Sequence, residues 1–296
     1  MSSKALVIVE GEDRESQLFE QIQQAFSWKM EIVPFSGNIS MLYDEMAKSN
    51  FMMDVVSLLR ARTSDPEELA ILSNTYSDVF LVFDLDPQHS LKVEDTESPE
   101  DALRRNSSRI VGKAMAMARK LNDSTDPTLG QLYINYPSIE SFRDADDFFD
   151  NGFSDKQVHV RDLCKSSPFG GQGYKAISSK GKLVNKKRIT TYTADDFSLL
   201  AMMNACKLRR INDGVWDCFS YDDFRKYSRQ EDILSVQAEK ILKTLSLWVL
   251  NTSLFLAIDY KGKSFYESLC KRISHLLHGD NTLRVDENVE RLLSGQ

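Results

Sequence analysis

Three short apolar runs, Ala5-Leu-Val-Ile-Val9, Val79-Phe-Leu-Val-Phe83 and Leu132-Tyr-Ile-Asn135, each end within a few residues of a carboxylate. Continuous β-branched and aromatic runs of this length suit strands buried on both faces of a parallel sheet. A fourth strand is predicted at Met30 to Phe35. Between the first two strands, Leu18, Phe19, Ile22, Ala25 and Phe26 recur at helical spacing, which predicts an amphipathic helix. Residues 39 to 76 read as two or three helices, one capped by Asp65 with Pro66 at its first position. A further helix opens at Ser98-Pro99 and presents Ile110, Ala114, Met117, Ala118 and Leu121 on one face. Alternating strands and helices predict an α/β fold with a parallel sheet flanked by helices over residues 1–150.

Beyond residue 150 the strand signal fades. Residues 151–192 read as a basic loop or hairpin, and 193–296 as a mostly helical domain for docking, dimerisation or substrate grip. Helices are expected from Thr193 to about Arg210, from Ser220, through a long interior from Glu231 to Ile258, and near 264–278 and 284–293. The apolar stretch from Leu245 to Ile258 contains Asn251, Thr252 and Ser253 and is too short to span a bilayer, so a buried helix is expected there. Four scattered cysteines, without the spacing of a zinc or redox pair, point to a reducing cytoplasm.

The formal charge of −7 argues against a polyanion partner until it is located along the chain. Residues 1–150 carry 14 basic and 27 acidic side chains, and residues 151–296 carry 23 and 17. Within 151–190 stand nine basic residues against two acidic ones. Such asymmetry points to a phosphate backbone as partner, with Lys175, Lys180, Lys182, Lys186, Lys187 and Arg188 as contacts. Phe169, Tyr174 and Tyr192 lie nearby and are expected to stack on unpaired bases. No G-x-x-x-x-G-K-[ST] pattern is present, so the chain is not expected to hydrolyse nucleotides through a P-loop.

The acids at the strand ends carry the chemistry. Glu10, Asp84, Asp86 and Glu140 would meet at the C-terminal edge of the sheet, where open α/β folds bind ligands. Four gathered carboxylates repel one another unless a cation neutralises them, and Mg2+ (or Mn2+) prefers such oxygen donors.

These residues resemble the Toprim family of primases, topoisomerases and overcoming-lysogenization-defect (OLD) nucleases. The matching pieces are Val7-Ile-Val-Glu10-Gly11 with Asp13, and Val82-Phe-Asp84-Leu-Asp86. Asn135-Tyr-Pro137-Ser-Ile-Glu140 is similar to the segment after the last core strand in RloB-like phage-defence proteins. The resemblance covers residues 4–145. It implies a Toprim-like sheet and metal-dependent phosphodiester cleavage, with Glu10 as metal ligand or general base, Asp84 and Asp86 as ligands, and Glu140 as a further ligand. A basic side chain, Lys182 or Lys180, would stabilise transition-state charge. Gln88 stands where some members carry a third acid, and extra helices fill the interval from Glu10 to Asp84. Both departures favour a nuclease of the defence type, cutting DNA or RNA such as tRNA. An ABC- or SMC-like ATPase encoded nearby is the partner such systems imply, with a homodimer as a further expectation. The alternative is a non-catalytic Toprim-fold subunit that binds or regulates.

Overall fold

The computed structural model describes residues 4–12, 14–122, 130–145, 151–178 and 188–278 of the 296-residue chain. The predicted strands form β1 (Ala5–Val9), β2 (Met30–Pro34), β3 (Asp78–Asp84) and β4 (Gln131–Asn135). They pair only in parallel, in the order β2-β1-β3-β4. Every residue of β1 is buried, as a central strand covered on both faces requires.

Helix α1 (Arg14–Phe26) joins β1 to β2, and α2 (Ile39–Lys48), α3 (Val55–Arg62) and α4 (Pro66–Leu72) lie between β2 and β3. Asp65 caps α4 by accepting the Glu67 and Glu68 N–H groups, with Pro66 where its missing donor costs nothing. Helix α5 (Pro99–Asn122) carries the chain from β3 to β4 and packs against α2. Parallel strands demand such crossovers, so the acids at the ends of β1, β3 and β4 all fall on one edge.

After β4 a 3-10 turn runs from Ile139 to Asp144. Short elements follow: α6 (Asn151–Ser154), β5 (Gln157–His159), α7 (Val160–Leu163), α8 (Tyr174–Ser178) and a second 3-10 turn at Ile189–Thr191. The expected basic loop therefore contains three short helices, a strand and a 3-10 turn, and residues 179–187 of it lie outside the described residues. Helix α9 (Ala194–Asp213) starts at a reciprocal capping box, in which Thr193 and Asp196 satisfy each other's backbone N–H, and ends at the left-handed Gly214.

Helices α10 (Tyr221–Tyr227), α11 (Gln230–Thr244), α12 (Phe255–Lys261) and α13 (Lys263–His278) complete the helical C-terminal region, with β6 (Ser246–Trp248) between α11 and α12. The expected long helix from Glu231 to Ile258 is corrected here. It stops where Leu245 turns left-handed (φ 50°), and β6 pairs antiparallel with β5. The expected helix near 284–293 lies outside the described residues. Among the described residues no helix is long and apolar enough to cross a membrane.

The helical region is locked to the sheet. Tyr136 and Leu250 exchange both backbone hydrogen bonds, at 2.8 and 2.9 Å, and α11 packs along α5. The polar residues inside the apolar run, Asn251, Thr252 and Ser253, are wholly buried. The Thr252 hydroxyl donates to the Ile134 carbonyl at 2.7 Å, and the Ser253 N–H donates to the Asn135 side chain at 3.2 Å. Asn251 donates to the Ile139 carbonyl at 2.9 Å and to the Ser141 hydroxyl at 3.1 Å, and accepts from Ser253 and Leu254. Polar groups this deep persist only when each is satisfied.

Candidate active site

Glu10 leaves the end of β1 and accepts the backbone N–H of Asp84 at 2.9 Å. This bond crosses between adjacent strands and fixes one Glu10 oxygen beside the end of β3. Asp84 is 6% exposed. It accepts from the Asn135 amide at 3.4 Å and from the Ile139 N–H. Burial raises the Asp84 carboxyl well above its ordinary value, and the charges of Glu10 and Asp86 push it the same way. Burial and then the charge of Asp86 push Glu10 up to about 8.

Asp86 sits at φ 40°, a left-handed conformation that is strained for most residues and that aspartate tolerates. Its carbonyl accepts the His89 N–H at 2.8 Å, its own N–H donates to Pro137 at 3.2 Å, and Gln88 donates to its carboxylate at 3.0 Å. The turn is held from below by Asn106 of α5, 2% exposed, which donates to the carbonyls of Pro87 at 2.8 Å and His89 at 3.1 Å. Burial raises the Asp86 carboxyl, Glu140 adds to the rise, and Gln88 and His89 oppose it.

Glu140, on the first 3-10 turn, accepts from Ser138 at 2.8 Å and from Arg14 at 2.9 Å. Glu15, in the first turn of α1, is a fifth acid of this edge. Its carboxyl is raised by burial and by the charges of Glu140 and Asp86. Its place in sequence reads only as an acid favoured at a helix start, which is why the pattern of strand ends does not reveal it. His89 is exposed, and its Nε2 meets the Asn38 amide at 3.0 Å. The Asn38 carbonyl oxygen is taken by the Met41 N–H, so the amide NH2 donates and the imidazole Nε2 accepts.

The four predicted acids thus lie along one edge and feel one another's charge. Among the described residues no group of three His, Cys, Asp or Glu side chains stands in metal-holding geometry. The donor chemistry suits a hard divalent ion: all donors are carboxylate oxygens, three are pushed up by burial, and Arg14 balances only Glu140.

The basic strip divides. Lys175 is exposed on α8, Arg188 lines a cleft beside Glu140, and Lys180, Lys182, Lys186 and Lys187 lie outside the described residues, as does Asp13. The expectation that Phe169, Tyr174 and Tyr192 stack on bases is corrected. They are 8%, 6% and 4% exposed and belong to the core, and the Tyr174 hydroxyl donates to the buried Asp144, which also takes Lys156 at 2.5 Å. Aromatic residues beside basic ones read as a stacking platform in sequence, but tertiary burial decides their use.

No protein-family model, curated protein or solved structure matches the chain.

Asn106 gives a test of this geometry that spares every acid. Replacing it with Ala should destabilise the protein by about 1–3 kcal/mol without unfolding it and weaken divalent-cation binding, followed by calorimetry, about 10–100-fold, the usual effect of losing a group that orients the ligands. Unchanged affinity would mean that the turn of Asp86 does not depend on its support.

Proposed function

We infer that the chain is a Mg2+- or Mn2+-dependent Toprim-type nuclease that cleaves phosphodiester bonds in DNA or RNA. The observation that carries this reading is the placement of Glu10, Asp84, Asp86 and Glu140 along the C-terminal edge of a parallel sheet, where burial raises the first three carboxyls and a cation would relieve them. Glu10, Asp84 and Asp86 would hold the ion, with Glu140 as a further ligand once it parts from Arg14. A divalent ion there supplies polarisation of the phosphoryl group and a nucleophilic water at neutral pH.

The protein's own groups complete the step. Glu10 keeps one oxygen on the Asp84 N–H and has a second that would either hold the ion or take a proton from water. Asn135, Gln88 and Asn106 orient the acids and their turn. Arg14, drawn to this edge by Glu140, is the nearest described candidate for stabilising charge on the transferring phosphoryl. Lys182, the expected basic group, lies outside the described residues.

The resemblance in the acids and in Asn135-Tyr-Pro137-Ser-Ile-Glu140 supports placement among effectors of prokaryotic phage defence, working with a separately encoded ATPase. Incubating the full-length protein, with and without an ATPase encoded beside it, with DNA and total RNA plus Mg2+ or Mn2+ tests both parts. Cleavage by the wild type and none by Glu10→Gln is expected. Cleavage that survives Glu10→Gln, or binding without cleavage under all conditions, overturns the nuclease reading, and the second result favours the non-catalytic subunit.

A further inference from the structure

A cleft of about 570 Å3 opens beside the acidic edge and shares Glu140 with it. Three arginines line it, Arg14, Arg143 and Arg188, against the single acidic residue Glu140. Arg14 is paired with Glu140 at 2.9 Å. Among the described residues neither Arg143 nor Arg188 forms an ion pair. Arg143 instead lies over the ring of Phe142, 5.5 Å from its centroid, so packing rather than a carboxylate orients its planar fork.

The placement follows from the local helix. Residues three apart in a 3-10 turn eclipse one another about 6 Å apart along the axis, so Glu140 and Arg143 share one face. The first points to the acids and the second stands roughly one nucleotide step further on. Phe142 packs edge to face on Tyr192, with ring centroids 6.1 Å apart, and these buried rings close the wall of the cleft. The result is a mostly polar slot with three arginines along it and two buried rings behind it, of a volume that suits one nucleotide rather than a large ligand.

We propose that this cleft is a nucleotide subsite for a single polynucleotide strand, in which Arg143 and Arg188 hold the backbone phosphate next to the one at the carboxylate edge. The inference deepens the nuclease reading and rests on it for the position of the scissile bond. The grip itself is separable. Guanidinium forks take phosphate oxygens in pairs, and their release of counterions makes binding fall with salt. The acidic edge repels a strand, and this cationic slot beside it is what allows one to approach.

The test measures binding apart from cleavage. Full-length Asp84→Asn protein in EDTA is titrated into a labelled single-stranded oligonucleotide, DNA in one arm and RNA in another, with anisotropy as readout. Arg143→Ala and Arg188→Ala should each weaken binding at least about tenfold. Each should also flatten the slope of log affinity against log salt by about 0.7 for every phosphate it no longer neutralises. Lys29→Ala, at the opposite edge of the sheet and exposed, should do neither. Thermal melts of the two arginine variants should match the parent, because both side chains reach solvent.

Binding by the double variant equal to the parent's overturns the subsite, whatever the cleavage assay shows. So does an absence of strand binding by the parent. Competition by inorganic phosphate or a nucleoside monophosphate as potent as that of an unlabelled strand also overturns it, since the slot would then serve a free anion. Arginine-dependent binding of a strand that the wild type does not cut sustains the subsite and removes the nuclease reading.

Discussion

Asp84→Asn should abolish cation-dependent cleavage, by about a thousandfold or more, and at the same time raise the melting temperature of the metal-free protein at pH 8. The two effects have one cause. Asp84 is buried beside Glu10 and Asp86, and each acid raises the cost of ionising the next. An amide of the same shape removes one charge from the group and with it the means of holding a cation.

The pH dependence has a fixed sign. Glu10 titrates near 4.5 when unfolded and near 8 in the native protein. Between those values the native state retains a proton that the unfolded state has lost, so stability falls as pH rises through the window and levels off above about 8. Calorimetric melts of metal-free wild type from pH 5 to pH 8 should therefore show a declining midpoint, shifting by about 2–4 °C for each kcal/mol. Millimolar Mg2+ or Mn2+ should restore the midpoint in wild type and not in Asp84→Asn. A midpoint lowered by Asp84→Asn at pH 8 would show that the carboxylates do not oppose one another. Undiminished cleavage would remove Asp84 from the chemistry.

Asn251→Ala should destabilise the protein by about 3–4 kcal/mol, because it strands several buried partners at once. Its side chain satisfies the Ile139 carbonyl, the Ser141 and Ser253 hydroxyls and the Leu254 N–H, all in the core. Cleavage should also drop at temperatures where the variant is still folded, since the Ile139 N–H contacts Asp84 and Glu140 follows Ile139 directly. A melting midpoint within about 2 °C of wild type would contradict the first expectation. Full activity in a destabilised but folded variant would contradict the second.

The sheet is legible in the chain because its determinants are local. A run such as Val79 to Phe83 suits little else than a central strand, and Asp65-Pro66 and Thr193-x-x-Asp196 announce their helices by backbone chemistry alone. Glu10, Asp84, Asp86 and Glu140 are placed by the same route, since an acid just beyond a buried parallel strand must lie at the C-terminal edge of the sheet. Residues defined by distant partners are not found. Arg14 is an ordinary helix-start cation until Glu140 is folded against it, and Asn106 is one polar residue of a long helix until the Pro87–His89 turn settles on it. The Leu245–Ile258 run misleads for a related reason. A short buried strand, a turn and a helix are all apolar, and periodicity does not separate them. The signal lies in Asn251-Thr-Ser253, three polar residues that a buried apolar helix has no reason to contain.

That same polar turn makes the protein a lever. Its long arm is the helical C-terminal region and its short arm is the segment that carries Asn135, Ile139 and Glu140, with Leu250 to Leu254 as the fulcrum. Removing the C-terminal helices would not leave a self-sufficient sheet domain, because the short arm would lose its seat. The bonds of this turn run from the segment directly before α12 to the residues beside Asp84 and Glu140.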